Sequence, residues 1–147
     1  MSQLPEPTAV PLIHGAQNHC FGCGRGNPVG LRLEFAVTPD GLQDGSVQCD
    51  ANLSSDYEGP PGYLHGGIIA TLLDEAMSKA NRARGITTMT RQMQVEYLRP
   101  VPSGAPIRIH ARVTQSQGRK HFSEAQIQNS SGVVLAKATG LFIALKA

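Results

Sequence analysis

The stretch 62-GYLHGGIIATLLDEAMSKANRARG-85 places a histidine and two glycines at the mouth of a mostly apolar helical pattern, with a carboxylate, Asp74, nine residues after the histidine. Gly66 and Gly67 leave the backbone bare, so a ligand can approach it closely. At a helix start the first N–H groups have no intrahelical acceptor and carry positive partial charge. Such groups suit an anion or a developing oxyanion. The same glycines could instead serve only a tight turn against a neighbouring strand. Asp74 shares a helix stripe with Ala70, Ser78 and Asn81, between the buried and the polar faces. A buried, unpaired carboxylate is costly, so Asp74 must be hydrogen-bonded, open to a cleft, or protonated. In a cleft it is a general-base candidate. On a helix flank it could equally be half of an ion pair. Nine residues of helix span about 13.5 Å, so Asp74 cannot reach a carbonyl held at its own His65-Gly66-Gly67. Joint action on one substrate atom requires two chains. Antiparallel helices related by a two-fold axis would bring one chain's Asp74 beside the other's Gly66, giving a symmetric dimer with two composite sites.

The helical pattern runs from about Leu64 to Ala83, with Ile69, Leu72, Leu73, Ala76 and Ala80 as its buried stripe. Thr71, Glu75, Lys79 and Arg82 form a polar face, with Glu75 and Lys79 in the favourable i,i+4 order. Gly85 is a plausible stop. Before the helix, alternation predicts strands over 31–37 and 46–51, separated by the turn signals Pro39-Asp40-Gly41 and Asp44-Gly45. After it, 87–98, 106–115, 119–128 and 133–145 have strand character, with hairpin turns at Gln117-Gly118 and Ser130-Ser131-Gly132. Ile107, Ile109, Ala111 and Val113 should face inward, and Arg108, His110 and Arg112 outward. Two strands, one long helix and four more strands make an α+β protein: an antiparallel sheet of about five to six strands curled around one helix. Residues 1–18, with Pro5, Pro7 and Pro11, are expected as an extended arm, and 19–147 as a single domain.

At these residues the sequence resembles the hotdog-fold acyl-CoA thioesterases. The spacing H-G-G-x6-D/E is that of the phenylacetate-pathway type, and the similarity is greatest to the carboxyl-terminal-modulator-protein group. The matching pieces are 61-PGYLHGG-67, Thr90 at the start of the next strand, 97-YLRP-100 and 118-GRK-120. The resemblance covers residues 20–147. It implies a helix wrapped by a curved sheet, and a homodimer or tetramer built by pairing sheets edge to edge. It implies hydrolysis of an acyl-CoA thioester with no metal and no organic cofactor. In such enzymes the amide matching Gly66 holds the thioester oxygen and the residue matching His65 orients or polarises it. The partner chain's carboxylate matching Asp74 activates water or attacks directly, and Thr90 matches a residue that positions the water. Ser78 stands where some relatives carry a catalytic serine and others a glycine. A glutamine that some relatives carry at the position of Gly59 is absent.

Gly67, Arg119, Lys120 and Arg99 are the substrate-binding candidates: basic side chains suit the phosphates of CoA, although a 118-GRK-120 turn could equally be solvated. Cys20 and Cys23 form one C-x-x-C, half of the usual zinc set. The segment 20-CFGCGRGNPVGL-31 recurs in hotdog relatives, and the expectation is a turn with small packing cysteines. Cys49, Met77, Met89 and Met93 are expected in the core, and His110 and His121 on strand surfaces. The formal charge of +2 does not suggest nucleic acid. No apolar run reaches the roughly 18 residues of a membrane span. The N-terminal residues lack signal-peptide regions, and three cysteines do not suggest a disulfide framework. The expected compartment is therefore the cytoplasm. A non-catalytic acyl-CoA-binding hotdog protein is the main alternative. A hotdog hydratase is a weaker one, because its histidine spacing is missing.

Overall fold

A computed structural model describes residues 11–12, 17–38 and 46–146. Most of the expected arm and the turn signals at 39–45 lie outside the described residues. Among the described residues the strands are β1 (Pro11–Leu12), β2 (Phe35–Val37), β3 (Val47–Ala51), β4 (Thr88–Tyr97), β5 (Ile107–Gln117), β6 (Lys120–Asn129) and β7 (Val134–Ala144), with one α-helix, α1 (Gly66–Ala83), between β3 and β4, preceded by a short 3-10 turn at Ser55–Tyr57. All pair antiparallel in one sheet of order β1-β2-β3-β5-β6-β7-β4. Six strands of three or more residues plus the two-residue β1 make the expected hotdog arrangement of a curved sheet around one helix.

The helix forms where the apolar stripe predicts. Leu72, Leu73, Ala76, Met77 and Ala80 are fully buried against Phe35, Val47, Ile107, Ile109, Ile127 and Phe142. Burying a large aliphatic or aromatic side chain is worth roughly 1.5–3 kcal/mol, so this stripe fixes the helix against the sheet. Gly85 ends it with φ +80°, donating to Arg82 while Ile86 donates to Asn81. The β5 alternation holds. Ile107, Ile109, Ala111 and Val113 are buried, while outward Arg108 and Arg112 pair across strands with Asp50 and Glu124, each at 2.7 Å.

Four expectations change. The strand expected over 31–37 is confined to Phe35–Val37, because the Leu31 and Leu33 N–H groups bond Phe21 O and Gly22 O of the preceding loop. Lys79 is 3% exposed, because the 17–34 loop closes over the helix face that amphipathicity alone marks as solvated. His121 is 5% exposed and shares a 2.8 Å hydrogen bond with Ser116. A register shift between Val113 and Gln115 alters the simple alternation next to it. Met89 is 60% exposed, because a register shift between Thr90 and Gln92 turns it to the face opposite the one Met93 and Val95 keep.

Candidate active site

His65 starts the helix. Its backbone is extended (φ −62°, ψ 141°) and its Nδ1 accepts from the Gly67 N–H at 2.9 Å. The cap is held in place by its neighbours: His65 N–H donates to Tyr57 O at 2.9 Å and Leu64 N–H to Val101 O at 2.8 Å. A Cβ on Gly67 would lie 3.2 Å from the ring Nδ1, and one on Gly59 3.2 Å from His65 Cα. The ring folds back on the helix because these positions are bare, and Gly59 accordingly supplies no side chain to the site. A neutral imidazole that accepts at Nδ1 carries its proton at Nε2. The Gly67 amide is committed to the cap, so of the two glycines Gly66 is the one whose amide remains as a donor. As the first amide of the helix it has no intrahelical acceptor. An exposed imidazole N–H and a backbone N–H thus sit together at the positive end of α1.

Tyr97, at the far end of β4, donates its hydroxyl to the Gly66 carbonyl at 2.9 Å. It ties the helix start to the edge strand. Tyr97 lies in the 97-YLRP-100 match, where nothing in the sequence alone gives it a role.

One face of the helix further on carries Asp74, half-buried. The Thr90 hydroxyl donates to its Oδ1 at 2.6 Å, so its partner is a hydroxyl rather than a cation. That bond fixes one carboxylate oxygen and leaves Oδ2 to accept from something else. Thr90 reaches the helix through a β-bulge, where the β4–β7 register shifts between Thr90 and Gln92. Beyond the bulge odd residues face inward: half-buried Met93 and Val95 pack on the core, opposite Gly140 and Ala138. Before it even residues do so: Thr90 lies opposite buried Phe142, and Thr88 accepts from Asn81 Nδ2 at 3.1 Å. Bulges re-aim side chains in this way beside functional sites. The sequence carries no signal for it, because the apolar residues Met89, Met93 and Val95 keep one parity across the bulge.

The remaining candidates divide between the two ends of the helix. Ser78, one turn beyond Asp74, lines a cleft of about 380 Å³ with Asn18, Cys20, Cys23 and Thr88. Arg119 donates from Nε and Nη2 to the Ala144 carbonyl at 3.1 and 2.8 Å, which pins the hairpin. Lys120 pairs with Ile143 and Thr90 with its neighbour Phe142, so Arg119 and Lys120 stand at the Asp74 end of the sheet. Arg99 follows Tyr97 and stands at the Gly66 end, its N–H bonded to Leu135 O at 2.9 Å. A groove of about 460 Å³ lined by His110, Glu124, Gln126 and Lys137 lies on the outward face and touches neither Asp74 nor His65. Burial pushes the Cys49 thiol up to about 12. The Cys23 thiol is raised further, by burial first and then by its hydrogen bond with Glu75.

The profile of the thioesterase superfamily matches residues 61–136, the span from the His-Gly-Gly approach to β7. The chain is 31% identical over 122 residues to acyl-coenzyme A thioesterase THEM4 of Bos taurus, covering 82% of this chain and 50% of that one. It therefore spans about half the length of that curated relative. The crystal structure of a thioesterase superfamily protein superposes with a TM-score of 0.79 at 32% identity, covering 86% of this chain and 60% of that chain. A thioesterase-like protein of Streptococcus pneumoniae TIGR4, solved with coenzyme A, superposes with a TM-score of 0.67 at 21% identity, covering 70% and 83%, which shows a shared fold. With the capped His-Gly-Gly start, the helix-borne acid and the wrapped sheet, these matches establish that the chain belongs to the thioesterase superfamily.

Proposed function

We propose that the protein hydrolyses acyl-CoA thioesters at composite sites shared by two chains of a homo-oligomer. The observation that carries this is the His65 cap. By taking up the Gly67 amide it leaves the Gly66 N–H and the His65 Nε2–H as paired donors for a thioester oxygen. One such donor is typically worth about 2.7–4 kcal/mol in the transition state. The reaction also needs a base. Asp74, oriented by Thr90, suits that task, but eight residues of helix separate it from Gly66 by about 12 Å. The base for a given oxyanion site therefore comes from the partner chain. The ten-residue edge β4 presents unpaired backbone groups, which favour pairing with another strand. It also exposes Met89 and Tyr97, with exposed Leu98 just past its end.

In this reading the partner's Asp74 takes a proton from water held between its Oδ2 and the Thr90 hydroxyl. The hydroxide adds to the thioester carbon while the oxygen gathers charge at Gly66 and His65. Collapse breaks the C–S bond, and the departing CoA thiolate receives the proton from Asp74. Arg119 and Lys120 accompany Asp74, and Arg99 accompanies Gly66, as cations for the CoA phosphates. The coenzyme A complex of the Streptococcus pneumoniae protein supports the substrate class. A thiol-release assay over short, medium, long and aromatic acyl-CoAs tests the proposal. Asp74→Asn should lower kcat by roughly 10²–10⁴ with an unchanged circular dichroism spectrum. Wild-type turnover in that variant would refute it.

A further inference from the structure

The Cys20–Cys23 loop takes no part in the chemistry above, yet it is built with care. The Gly24 N–H donates to Cys20 O at 2.8 Å, Gly26 N–H to Asn18 O at 2.9 Å, and Cys20 N–H to Asn18 Oδ1 at 2.8 Å. Leu31 and Leu33 donate to Phe21 O and Gly22 O at 2.7 and 2.9 Å, fastening the loop to the run that leads into β2. The loop sets both sulfurs against the helix at Glu75. The two Sγ atoms and a Glu75 carboxylate oxygen all lie within 4.8 Å of one another, and Cys20 Sγ stands 3.7 Å from Glu75 Oε2.

We propose that Cys20, Cys23 and Glu75 bind a thiophilic divalent cation of the zinc class. Tetrahedral zinc with Zn–S bonds of about 2.3 Å and Zn–O bonds of about 2.0 Å holds its sulfurs roughly 3.8 Å apart and sulfur to oxygen roughly 3.5 Å apart. The Cys20–Glu75 pair already stands near that spacing, and every pair lies within 4.8 Å. The C-x-x-C alone was half a set, and the fold brings in the third ligand from a residue 52 positions after Cys23. The three ligands line, with Asn18 and Ser78, a cleft of about 380 Å³, which has room for a water as fourth ligand. The charges also balance. The cation replaces two thiol protons, so two thiolates, one carboxylate and a divalent ion sum to minus one. The buried ammonium of Lys79 lines the same cleft and offsets it. The ion would clamp the loop to α1 one residue away from Asp74, on a different face of the helix. This inference does not depend on the thioesterase reading, because its test reads metal spectra.

The full chain, reduced with a thiol-free reductant, is titrated with Co²⁺ and the absorption recorded. One equivalent should give tetrahedral ligand-field bands with thiolate charge transfer, both displaced by Zn²⁺. Cys20→Ser and Cys23→Ser should abolish the charge-transfer band and Cys49→Ser should keep it. Glu75→Gln should weaken binding by at least about tenfold, the least that losing even an outer-sphere partner tends to cost. A wild-type protein that develops no thiolate–cobalt band would overturn the proposal whatever the variants do. So would a band that persists in Cys20→Ser.

Discussion

Two helix-borne groups divide the proposed chemistry, and each is set by a single hydrogen bond. At His65 the bond to the Gly67 amide decides the tautomer, and with it which atoms can meet an oxyanion. The Gly66 amide can be removed without disturbing the cap. Proline is favoured at the first helical position, where its missing N–H has no intrahelical partner. The residue before a proline prefers an extended backbone, which His65 already has. A Cβ at Gly66 meets only the Tyr97 ring at 3.7 Å, ordinary contact. Gly66→Pro should therefore leave thermal stability near wild type while lowering kcat by about 10²–10³, the loss typical of one oxyanion donor. Unchanged kcat would mean that this amide does not hold the thioester oxygen. His65, Gly66 and Asp74 stand out in the sequence, because their types and spacing are unusual for a helix start and its apolar interior, whereas Thr90 is marked only by the family resemblance. The Asp74–Thr90 contact could not be read there, because it depends on a bulge. Neither could the commitment of the Gly67 amide, because it depends on the imidazole rotamer.

At the level of elements, the helix and the four long strands followed from apolar periodicity and turn glycines, and their ends agree within about two residues. The loop character of residues 19–30 was legible too, from its glycines and Pro28, but where the loop packs was not. Its packing on Glu75 and Lys79 is a tertiary event, and local patterning gives it no signature beyond glycine and the C-x-x-C. That loop has a sharp point of vulnerability. A Cβ on Gly24 would lie 2.3 Å from the Cys20 nitrogen and 2.5 Å from the Asn18 oxygen, both backbone atoms that cannot swing aside. Gly24→Ala should destabilise the protein by about 1–3 kcal/mol, the usual cost of overpacking. A denaturant midpoint equal to that of wild type would show that the loop is not packed as described.

For the molecule as a whole, pH reaches the core through His121. Burial, with the Arg84 charge second, pulls its pKa below the ordinary 6.5. As pH falls through 6.5, the unfolded chain therefore takes up a proton that the folded one still refuses. The contribution is complete above that value and is lost on acidification until the folded pKa is passed. Melting temperature should fall on going from about pH 7.5 to about pH 5.5, and fall less in His121→Gln. An equal decline in both proteins would place the acid sensitivity elsewhere. The larger claim is that two chains complete each site, and hybrid oligomers test it most directly. Asp74→Asn and Gly66→Pro chains, each inactive alone, are coexpressed with different tags, and the hybrid dimer is isolated. It should recover roughly half the wild-type activity, since one of its two composite sites is whole. A folded hybrid as inactive as its parents would contradict the account.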